Sequence, residues 1–407
     1  MGRSGAINAC VLGDLDLVRP LSLAGISSAV VARPGTPLSF SRLPSAFVEW
    51  ADHWTQRDVL IERLLRFGST QRARPVLFYQ STGDLLMISR HRERFRDAFR
   101  FIIADGQLVE DLTDKARFHA LAERLGLPVP QTRLIDPAED EAGWKRETSF
   151  PLLLKPVTRQ WERWGRIAPD SKAITVESRT ALEALWPRLM TVGTELVAQE
   201  LIPGPESRIE SYHTYVDDAG TVVAEFTGKK VRTRPAEYGY STSVVITDSP
   251  DVVAAGRAVT ERMGLVGVAK LDFKRAPGGR LVLLEVNPRF TLWHHPAAAA
   301  GLNIPAMVFR DLIDEPRLPA GKPRAGVRWC DPWEDAAAAQ GAGELGARWF
   351  VDALRCKAKS GLAWNDPMPF ARGVVLPRLR ARIARRIARC RNRHPTASAP
   401  RRQPEAE

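Results

Sequence analysis

The segment from Val266 to Arg289 constrains the fold more than any other part of this sequence. It reads VGVAKLDFKRAPGGRLVLLEVNPR, in which two strand-like runs flank the pair Gly278-Gly279. Two adjacent glycines suit the positive φ values of a two-residue hairpin turn. The sequence therefore predicts an antiparallel hairpin whose turn is closed by Pro277 and Arg280. The face of this hairpin expected to be buried carries Gly267, Ala269, Leu271, Phe273, Val282, Leu284 and Val286.

In that register, Asp272 and Glu285 lie directly opposite each other, and Asn287 is two residues further along the same face. Facing carboxylates repel unless a cation lies between them or one is protonated. These oxygen donors are the ligands that Mg²⁺ or Mn²⁺ prefers, particularly when phosphate oxygens complete the coordination. The alternative is a surface network in which basic neighbours neutralise the pair: Lys270, Lys274 and Arg289.

The N-terminal region predicts an open parallel α/β domain over residues 1–112. An apolar run, a helical stretch and a second apolar run form a β-α-β pattern, which predicts a parallel sheet. Two further apolar runs follow at helix-plus-strand intervals. In chain order these segments are Ala6–Gly13, Asp14–Ala24, Ile26–Ala32, Val76–Tyr79 and Phe101–Ala104.

A helix over Lys115–Leu125, capped by Thr113 or Asp114 and stopped at Gly126, opens a second region. From Phe150 onwards the chain changes to short strands with two intervening helices, which indicates an α+β region. The expected strands are Leu152–Lys155, Ala173–Val176, Glu195–Glu200, Ser207–Val216, Thr221–Thr227, Val266–Lys274 and Leu281–Val286, and the helices are Thr180–Leu189 and Asp251–Met263.

Two further signals stand beside the hairpin. Lys155 lies within an apolar strand, LLLKP, where a buried lysine needs an anionic partner; the alternative is a lysine that snorkels from a strand end. The run Val197–Glu206 joins an apolar strand to a Pro/Gly turn that ends in a carboxylate, and by itself it is also compatible with an ordinary strand exit.

Together these signals, in this order, resemble the ATP-grasp superfamily over residues 6–316, in particular its carboxylate–amine ligase branch and the ligases related to carbamoyl-phosphate synthase. The resemblance implies a pre-ATP-grasp domain over residues 1–112, followed by a two-lobed ATP-grasp fold. The small lobe would span residues 113–195 and the large lobe, with the metal site, residues 196–316. A C-terminal extension with an Arg-rich amphipathic helix would occupy residues 317–407.

The resemblance also implies roles for individual residues. Lys115 and Lys155 would bind the nucleotide phosphates, and Glu206 would bind the ribose. Asp272, Glu285 and Asn287 would ligate the metal. The other residues expected to contact the nucleotide are Gln199, Glu200, Leu201, Ile202 and Lys229; those expected to be catalytic are Arg289, Lys230 and Arg232. Arg159, Arg163 and Arg166 stand where relatives carry a glycine-rich flap.

The implied function is an ATP-dependent C–N ligase that forms an amide or peptide-like bond through an acyl phosphate, with ATP and two Mg²⁺ (or Mn²⁺) ions as cofactors. The expected substrates are a small carboxylic acid and an amine. Arg234 is a further candidate for binding the acid. The positions of His294 and His295 are compatible either with contact to substrate or with plain core packing. The alternative is an inactive nucleotide-binding regulatory protein. The sequence has no GxxxxGK[ST] or HExxH motif.

The net charge of +12 is concentrated at the C-terminus, since residues 372–407 hold 11 Arg against two Glu. Leu376, Leu379, Ile383, Ile387 and Cys390 recur at helical spacing, which predicts a basic amphipathic helix of about 18 residues. Its apolar stripe would either pack on the body or contact an anionic membrane through residues 376–393. No specific nucleic-acid binding is expected, because the arginines are not interleaved with stacking aromatics.

We expect a cytoplasmic protein, peripheral at the membrane surface if the tail binds lipid, and a homodimer is a further candidate state. No apolar stretch is long enough for a spanning helix. The four cysteines, Cys10, Cys330, Cys356 and Cys390, are far apart and form no CxxC pair. Their spacing predicts reduced thiols, with neither a zinc site nor a disulfide.

Overall fold

In the computed structural model, the residues described are 7–136, 149–157, 161–168, 171–191, 195–317 and 319–393. The N-terminal region is a parallel sheet with strand order β3-β2-β1-β4. The strands are β1 Ala9–Leu12, β2 Ser28–Ala32, β3 Ala46–Glu49 and β4 Val76–Tyr79; the helices are α1 Leu15–Leu23, α2 Arg57–Ser69, α3 Thr82–Arg90, α4 Arg92–Ala98 and α5 Gly106–Thr113.

The predicted β-α-β unit is confirmed, because β1 pairs in parallel with β2 and α1 connects them. Asp14 caps α1 by accepting a hydrogen bond from the Asp16 amide. The prediction of a strand over Phe101–Ala104 is wrong. Only Arg100, just before it, forms an isolated bridge to Val76, and the following residues are irregular.

The second region contains an antiparallel sheet of order β5-β8-β6-β7. Asp114 caps α6, as expected, by accepting a hydrogen bond of 2.9 Å from the Arg117 amide. The strands are β5 Thr132–Ile135, β6 Leu152–Pro156, β7 Ile174–Val176 and β8 Leu196–Glu200; the helices are α6 Lys115–Arg124, α7 Trp161–Trp164 and α8 Arg179–Met190. A lobe boundary at residue 195 would separate β8 from its own sheet, so the strand pairing moves this boundary past Glu200.

The third region is a larger sheet of order β13-β12-β9-β10-β11-β14-β15. Its strands are β9 Ile209–Val216, β10 Val222–Arg234, β11 Tyr240–Thr247, β12 Gly267–Arg275, β13 Leu281–Asn287, β14 Arg328–Cys330 and β15 Ala358–Lys359. The helices are α9 Pro250–Arg262, α10 His294–Ala299, α11 Ile304–Leu312, α12 Pro332–Gly341, α13 Ala347–Arg355, α14 Met368–Phe370 and α15 Leu376–Arg393, with a π-helical turn at Ala371–Val375 before α15. Because β14 and β15 belong to the sheet, the expected extension from residue 317 is partly built into the large lobe.

The hairpin of β12 and β13 brings Asp272 opposite Glu285, as predicted, but by a different route. The turn is closed by Ala276 and Arg280, so its loop has three residues, of which Gly279 has a φ of +87°. A β-bulge between Asp272 and Phe273 then restores the register.

The bulge changes which face the following side chains occupy. Phe273 faces Leu283, and both side chains are fully buried. The prediction that Leu284 packs in the core is therefore wrong: Leu284 is the extra residue of the bulge and lines the site instead. Leu271, Phe273 and Leu283 pack in one core with residues of α5 and α6, which fixes the hairpin against the N-terminal region.

Candidate functional site

Asp272 is a buried carboxylate surrounded by hydrogen-bond donors and cations. The Ser211 hydroxyl donates to it at 2.5 Å, the Lys270 ammonium lies 2.5 Å from Oδ2, and the Lys230 ammonium lies 3.9 Å from the same oxygen. Burial opposes ionisation, but Lys270, Lys230 and Ser211 outweigh it and hold the Asp272 pKa well below its ordinary value. Asp272 is therefore an anion throughout the neutral pH range.

Glu285 lies across from Asp272 and is more open, with 56% of its side chain exposed. The Lys270 ammonium is 3.7 Å from Glu285 Oε1, so it lies between the two carboxylates. This part of the alternative interpretation is correct, since Lys270 supplies the positive charge that the facing pair requires. Lys274 instead lies 3.9 Å from Glu206.

Arg289 is held in place by two acceptors from different parts of the chain. Its Nη1 donates to the Gln80 carbonyl at 2.7 Å, and its Nη2 donates to Asn287 Oδ1 at 3.0 Å. The Asn287 amide nitrogen in turn donates to Glu285 Oε1 at 3.0 Å. Because Gln80 follows β4 of the N-terminal sheet, this chain of hydrogen bonds joins the sheet edge to the carboxylates.

The donors on this hairpin fit a divalent cation shared with phosphate. Two carboxylates and one amide oxygen, from Asp272, Glu285 and Asn287, lie on one face. Across the described ranges no three His, Cys, Asp or Glu side chains group closely enough to hold an ion. An ion bound here would therefore need water or phosphate oxygens to complete its shell, which is how Mg²⁺ is commonly held.

A cavity of about 260 Å³ opens between the small antiparallel sheet and the large sheet beside these carboxylates. Lys155 projects into it from β6 and donates to Gln199 Oε1 on the neighbouring β8 at 2.8 Å. Burial lowers the pKa of Lys155, an effect that the carboxylates Glu285 and Glu206 oppose. A buried ammonium of this kind is suited to bind an anion that enters the cavity.

Lys115, at the start of α6, reaches the same place from the other side. Its ammonium donates to the Pro156 carbonyl and lies 3.4 Å from the Val157 carbonyl. Lys115 and Lys155 both line the cavity, although 40 residues separate them in sequence. The structure thus brings together the two lysines that were expected to bind phosphate.

The expected hinge forms one wall of this cavity. Gln199, Glu200, Leu201, Ile202 and Glu206 all line it. Glu200 accepts a hydrogen bond from the Gln131 amide at 3.1 Å through its side chain, and Leu201 donates to the Pro151 carbonyl at 3.4 Å through its amide. Ile202 is buried, with 3% exposure.

Lys230 and Arg232 do not have the same environment. Lys230 lines the cavity beside Asp272. Arg232 instead donates from Nη1 to both carboxylate oxygens of Asp335 of α12, at 2.9 and 2.8 Å, and from Nη2 to Glu344 at 2.8 Å. The expected catalytic role of Arg232 stays a prediction that the structure disfavours, because these acidic partners hold its guanidinium on the side of the sheet covered by α12.

The other basic candidates also lie outside the cavity. Lys229 is not among the residues that line it, and Arg234 pairs with Glu334 of α12 at 2.5 Å. In the flap region, Arg163 and Arg166 are exposed and line neither cavity, and Arg159 lies outside the described residues.

The lining residues that the sequence did not indicate include one lysine and three aromatic residues: Trp164, Lys172, Tyr238 and Tyr240. The Lys172 ammonium lies 3.5 Å from the centre of the Tyr240 ring, a cation–π contact. The Tyr238 hydroxyl is 2.8 Å from the Thr175 hydroxyl. These contacts join β7 to the start of β11 across the cavity mouth, and no local pattern in the sequence indicates them.

A second cavity, of about 600 Å³, adjoins the first and lies towards the N-terminal sheet. The two cavities share Lys115, Lys155, Gln199, Leu284 and Glu285. Asn287 and Arg289 line only the second. Much of its remaining wall is apolar: Trp54, Leu85, Leu86, Leu112, Phe118, Val157 and Val286.

Two histidines that were candidates for substrate contact are part of the core. His294 is 1% exposed and hydrogen-bonded to the Thr291 backbone, and burial lowers its pKa to about 4. His295 Nδ1 is 2.7 Å from the buried Asp16 carboxylate, which ties α10 to α1. Both line neither cavity, which favours the packing interpretation.

Two lysines and a carboxylate pair thus meet where the smaller cavity joins the larger one, an arrangement suited to binding phosphate. Comparison with known proteins supports this interpretation. Residues 194–331 match the family described as "ATP-grasp in the biosynthetic pathway with Ter operon". This range contains the hinge, β10 and the complete hairpin.

Two curated relatives are ligases by name. The D-aspartate ligase of Enterococcus faecium is 25% identical over 291 residues, which cover 68% of each chain. The D-alanine–D-alanine ligase of Pseudomonas entomophila is 25% identical over 211 residues, which cover 49% of this chain and 64% of that protein. The chain thus spans just under two thirds of the second relative.

Among solved structures, the N5-carboxyaminoimidazole synthetase of Staphylococcus aureus superposes with a TM-score of 0.62. The match covers 83% of this chain and 85% of that one at 11% identity, so it supports the fold alone. The family match and the curated relatives support the resemblance to the ATP-grasp superfamily and to its carboxylate–amine ligase branch. The expected fold and the expected class, ATP-dependent C–N ligases, are confirmed.

Proposed function

We propose that this protein joins a carboxylic acid to an amine at the expense of ATP, through an acyl phosphate. The observation that carries the proposal is the junction of the two cavities. Lys115, Lys155 and Glu285 line both. A nucleotide in the smaller cavity would therefore place its terminal phosphate beside an acid in the larger one.

The nucleotide is proposed to lie between the small antiparallel sheet and the large sheet. Lys155 and Lys115 bind its phosphates by charge-assisted hydrogen bonds. The buried Ile202 amide and the hinge residues before it contact the adenine edge, and Glu206 accepts from the ribose hydroxyls. Lys155 then exchanges its Gln199 partner for a phosphate oxygen, which adds a direct counter-charge to the buried ammonium.

The acid is proposed to lie in the larger cavity with its carboxylate near Arg289. The Gln80 carbonyl and Asn287 hold this guanidinium towards the junction, so it stabilises charge on the phosphoryl group or the acyl phosphate. Attack of the amine on the activated carbonyl then releases phosphate. The protein acts mainly by position and charge, as is usual in phosphoryl transfer.

Asp272, Glu285 and Asn287 are proposed to hold two Mg²⁺ ions. When bound, these ions neutralise the negative charge that develops on the transferring phosphate. Lys270 and Lys230 hold Asp272 in its anionic form, ready to act as a ligand.

We propose an amino acid or a short peptide-like molecule as a substrate, because the relatives named above are ligases for aspartate and alanine. The larger cavity adds a preference of its own. The side chains of Leu85, Leu112 and Phe118 contribute to its wall, so we expect the better substrates to carry an apolar group.

The alternative is an ATP-grasp protein that binds nucleotide without turnover. The intact set of Lys155, Asp272, Glu285 and Arg289 favours the enzyme. The test is phosphate release from ATP and Mg²⁺ over a panel of amino acids, in pairs of acid and amine, followed by mass spectrometry of the product. An Asp272→Asn variant run in parallel measures the background phosphate release, which is then subtracted. No product and no acid-dependent phosphate release across apolar, acidic and small amino acids would support the binding protein.

We also propose that the C-terminal helix α15 contacts anionic membrane surfaces. Leu379 and Ile383 are 46% and 59% exposed, so this part of the apolar stripe is not packed on the body. Arginines occupy the neighbouring positions Arg380, Arg382 and Arg385. None of the helices within the described chain combines the length and apolar character needed to cross a bilayer. A helix of this composition is suited to lie in the interface.

Truncation tests the membrane proposal. Arg378 pairs with Glu334 at 2.9 Å and lies over the Trp333 ring, so a chain ending at Leu379 keeps this anchor. It should lose binding to anionic vesicles and keep its activity in solution. Equal binding by the truncated and full-length chains would contradict the proposal. A homodimer stays a prediction, for which sedimentation velocity is the measurement.

A further inference from the structure

Two cysteines that are 26 positions apart in sequence meet inside the C-terminal part of the large sheet. Cys330 is the last residue of β14, and Cys356 lies two residues before β15. The pairing of Trp329 with Ala358 brings these chain segments side by side. Both cysteines are buried, with 1% and 5% exposure, and their thiols lie close enough to interact. The Cys356 thiol also donates a hydrogen bond of 3.4 Å to the Asp352 carbonyl.

The surroundings of the pair make Cys356 the more reactive thiol. The hydrogen bond from Cys330, together with the positive charges of Arg328 and Lys359, lowers the Cys356 pKa, although burial and Asp335 oppose this. The same contacts and burial raise the pKa of Cys330. Arg328 also pairs with Asp352 at 3.2 Å. A thiol with a lowered pKa and a cationic neighbour is the kind that oxidants attack first.

A small cavity adjoins this thiol. It has a volume of about 20 Å³, and its lining includes Cys356, Arg328, Arg232 and Trp349. A space of this size holds a molecule close to water in volume. Hydrogen peroxide is such a molecule and is also a two-electron oxidant.

We propose that Cys330 and Cys356 are a site of reversible oxidation, at which hydrogen peroxide converts the dithiol to an intramolecular disulfide. The Cys356 thiolate attacks one peroxide oxygen, the O–O bond breaks, and the released hydroxide takes a proton to become water. The Cys330 thiol then attacks the resulting sulfenic sulfur, and its proton leaves with the hydroxyl group as a second water. Two thiols and one peroxide give one disulfide and two waters, and a thiol reductant reverses the change.

The disulfide would close a loop that supports the active-site sheet. The loop between the cysteines contains α12 and α13. Within it, Asp335 and Glu344 pair with Arg232, and Glu334 pairs with Arg234, both on β10. The same strand carries Lys230 beside Asp272. Cross-linking the ends of this loop restricts the unfolded chain, so oxidation should stabilise this end of the sheet.

The test treats the reduced, full-length protein with hydrogen peroxide, blocks remaining thiols, and maps peptides without reduction. We expect one linked peptide pair containing Cys330 and Cys356, lost on addition of dithiothreitol, and a melting temperature a few degrees higher in the oxidised form. Cys10→Ser is the matched control, because Cys10 is buried in β1 and should leave the cross-link intact. Cys356→Ser and Cys356→Ala should abolish it.

A linked pair that involves Cys10 or Cys390, or full alkylation of Cys330 and Cys356 after oxidant treatment, would overturn the proposal. Ligase turnover is measured on the same samples but does not decide the matter. The cross-link can form whether or not the protein is a ligase, so the two proposals fail separately.

Discussion

The part of the chain that builds the site and the part that follows it use charge and apolar surface in opposite ways. Residues 1–316 hold 40 basic and 39 acidic side chains, whereas residues 317–407 hold 19 basic and 8 acidic. Nearly the whole net charge of +12 therefore lies in the last quarter of the chain. In the described residues, ten of the seventeen large apolar side chains with substantial exposure also lie there, from Trp333 to Ile383.

The difference shows which interactions each part has already made. Around the site, charges face one another across buried space: Lys270 lies between Asp272 and Glu285, and Lys274 lies beside Glu206. In the C-terminal part, Phe350 and Leu354 of α13 are 59% and 73% exposed, and Trp364 is 95% exposed. Exposed large apolar side chains in the same part of the chain as a basic helix favour a surface that binds something outside the chain.

The largest effect should come from the hairpin carboxylates. Asp272→Asn should lower turnover by about 10²–10³-fold, the scale of losing one preorganised electrostatic group. The fold should survive because the buried face of the hairpin is unchanged. The matched substitution in the C-terminal part, Arg382→Gln, should leave turnover within about twofold. Comparable losses in both variants would abolish the distinction between the two regions.

Lys155→Met should weaken ATP binding by about 10–100-fold, which corresponds to about 1.4–2.8 kcal/mol, the scale of a charge-assisted hydrogen bond. Adenosine should bind nearly as before, because it has no phosphate. Isothermal titration of both ligands into both proteins is the measurement. Equal weakening of ATP and adenosine would place Lys155 away from the phosphates.

The same variant carries a prediction about pH. Burial lowers the pKa of Lys155 in the folded state. Between that value and the ordinary lysine pKa, the unfolded chain binds more protons than the folded chain, so the free energy of unfolding rises with pH. Relative to Lys155→Met, the wild-type protein should therefore gain stability as the pH is raised through this window, measured by urea unfolding. A constant difference would contradict the shifted pKa.

A smaller effect is expected at the C-terminal helix. Ile383→Asp places a charge on the apolar stripe and should weaken binding to anionic vesicles about tenfold. Ile383→Leu is the control and should bind like wild type. Binding of the wild-type chain should fall as salt rises, because the arginine contribution is screened. Equal binding to vesicles of neutral lipid, or binding that is insensitive to salt, would indicate a purely apolar contact instead of the proposed one.

The smallest effect on catalysis should be that of Arg232→Ala. Its guanidinium pairs with the buried Asp335, so its loss should lower the melting temperature. At a temperature where the variant is folded, the turnover number should stay within about twofold of wild type, since Arg232 does not line the site. A selective loss of turnover with an unchanged melting temperature would support the catalytic role expected from the sequence.

The sequence predicts those parts of the site that lie close together along the chain. The facing pair of Asp272 and Glu285 follows from one hairpin, and the Asp114 cap follows from one helix start. The bulge does not follow, because a two-residue turn without a bulge gives the same pairing at these two residues. The choice between the two depends on packing Leu283 against Phe273, which is a tertiary effect.

Contacts between distant segments are the part of the structure that the sequence predicts least well. Arg232 appeared available for substrate because its partner Asp335 is 103 residues away. Cys330 and Cys356 appeared unrelated for the same reason. The lining by Trp164, Tyr238 and Tyr240 depends on how the two sheets face each other. None of these positions has a local pattern that distinguishes it from an ordinary core or surface residue.

The bulge at Leu284 has a consequence for how much product the protein would form for each ATP consumed. Because the extra residue turns away from the core, an apolar side chain next to Glu285 lines both cavities. The activated acid that we propose to form at this junction would be exposed to water unless a side chain of this kind excluded it. Shortening the Leu284 side chain should therefore lower the yield of product per ATP more than the rate of ATP consumption, so that more ATP is hydrolysed for each bond formed.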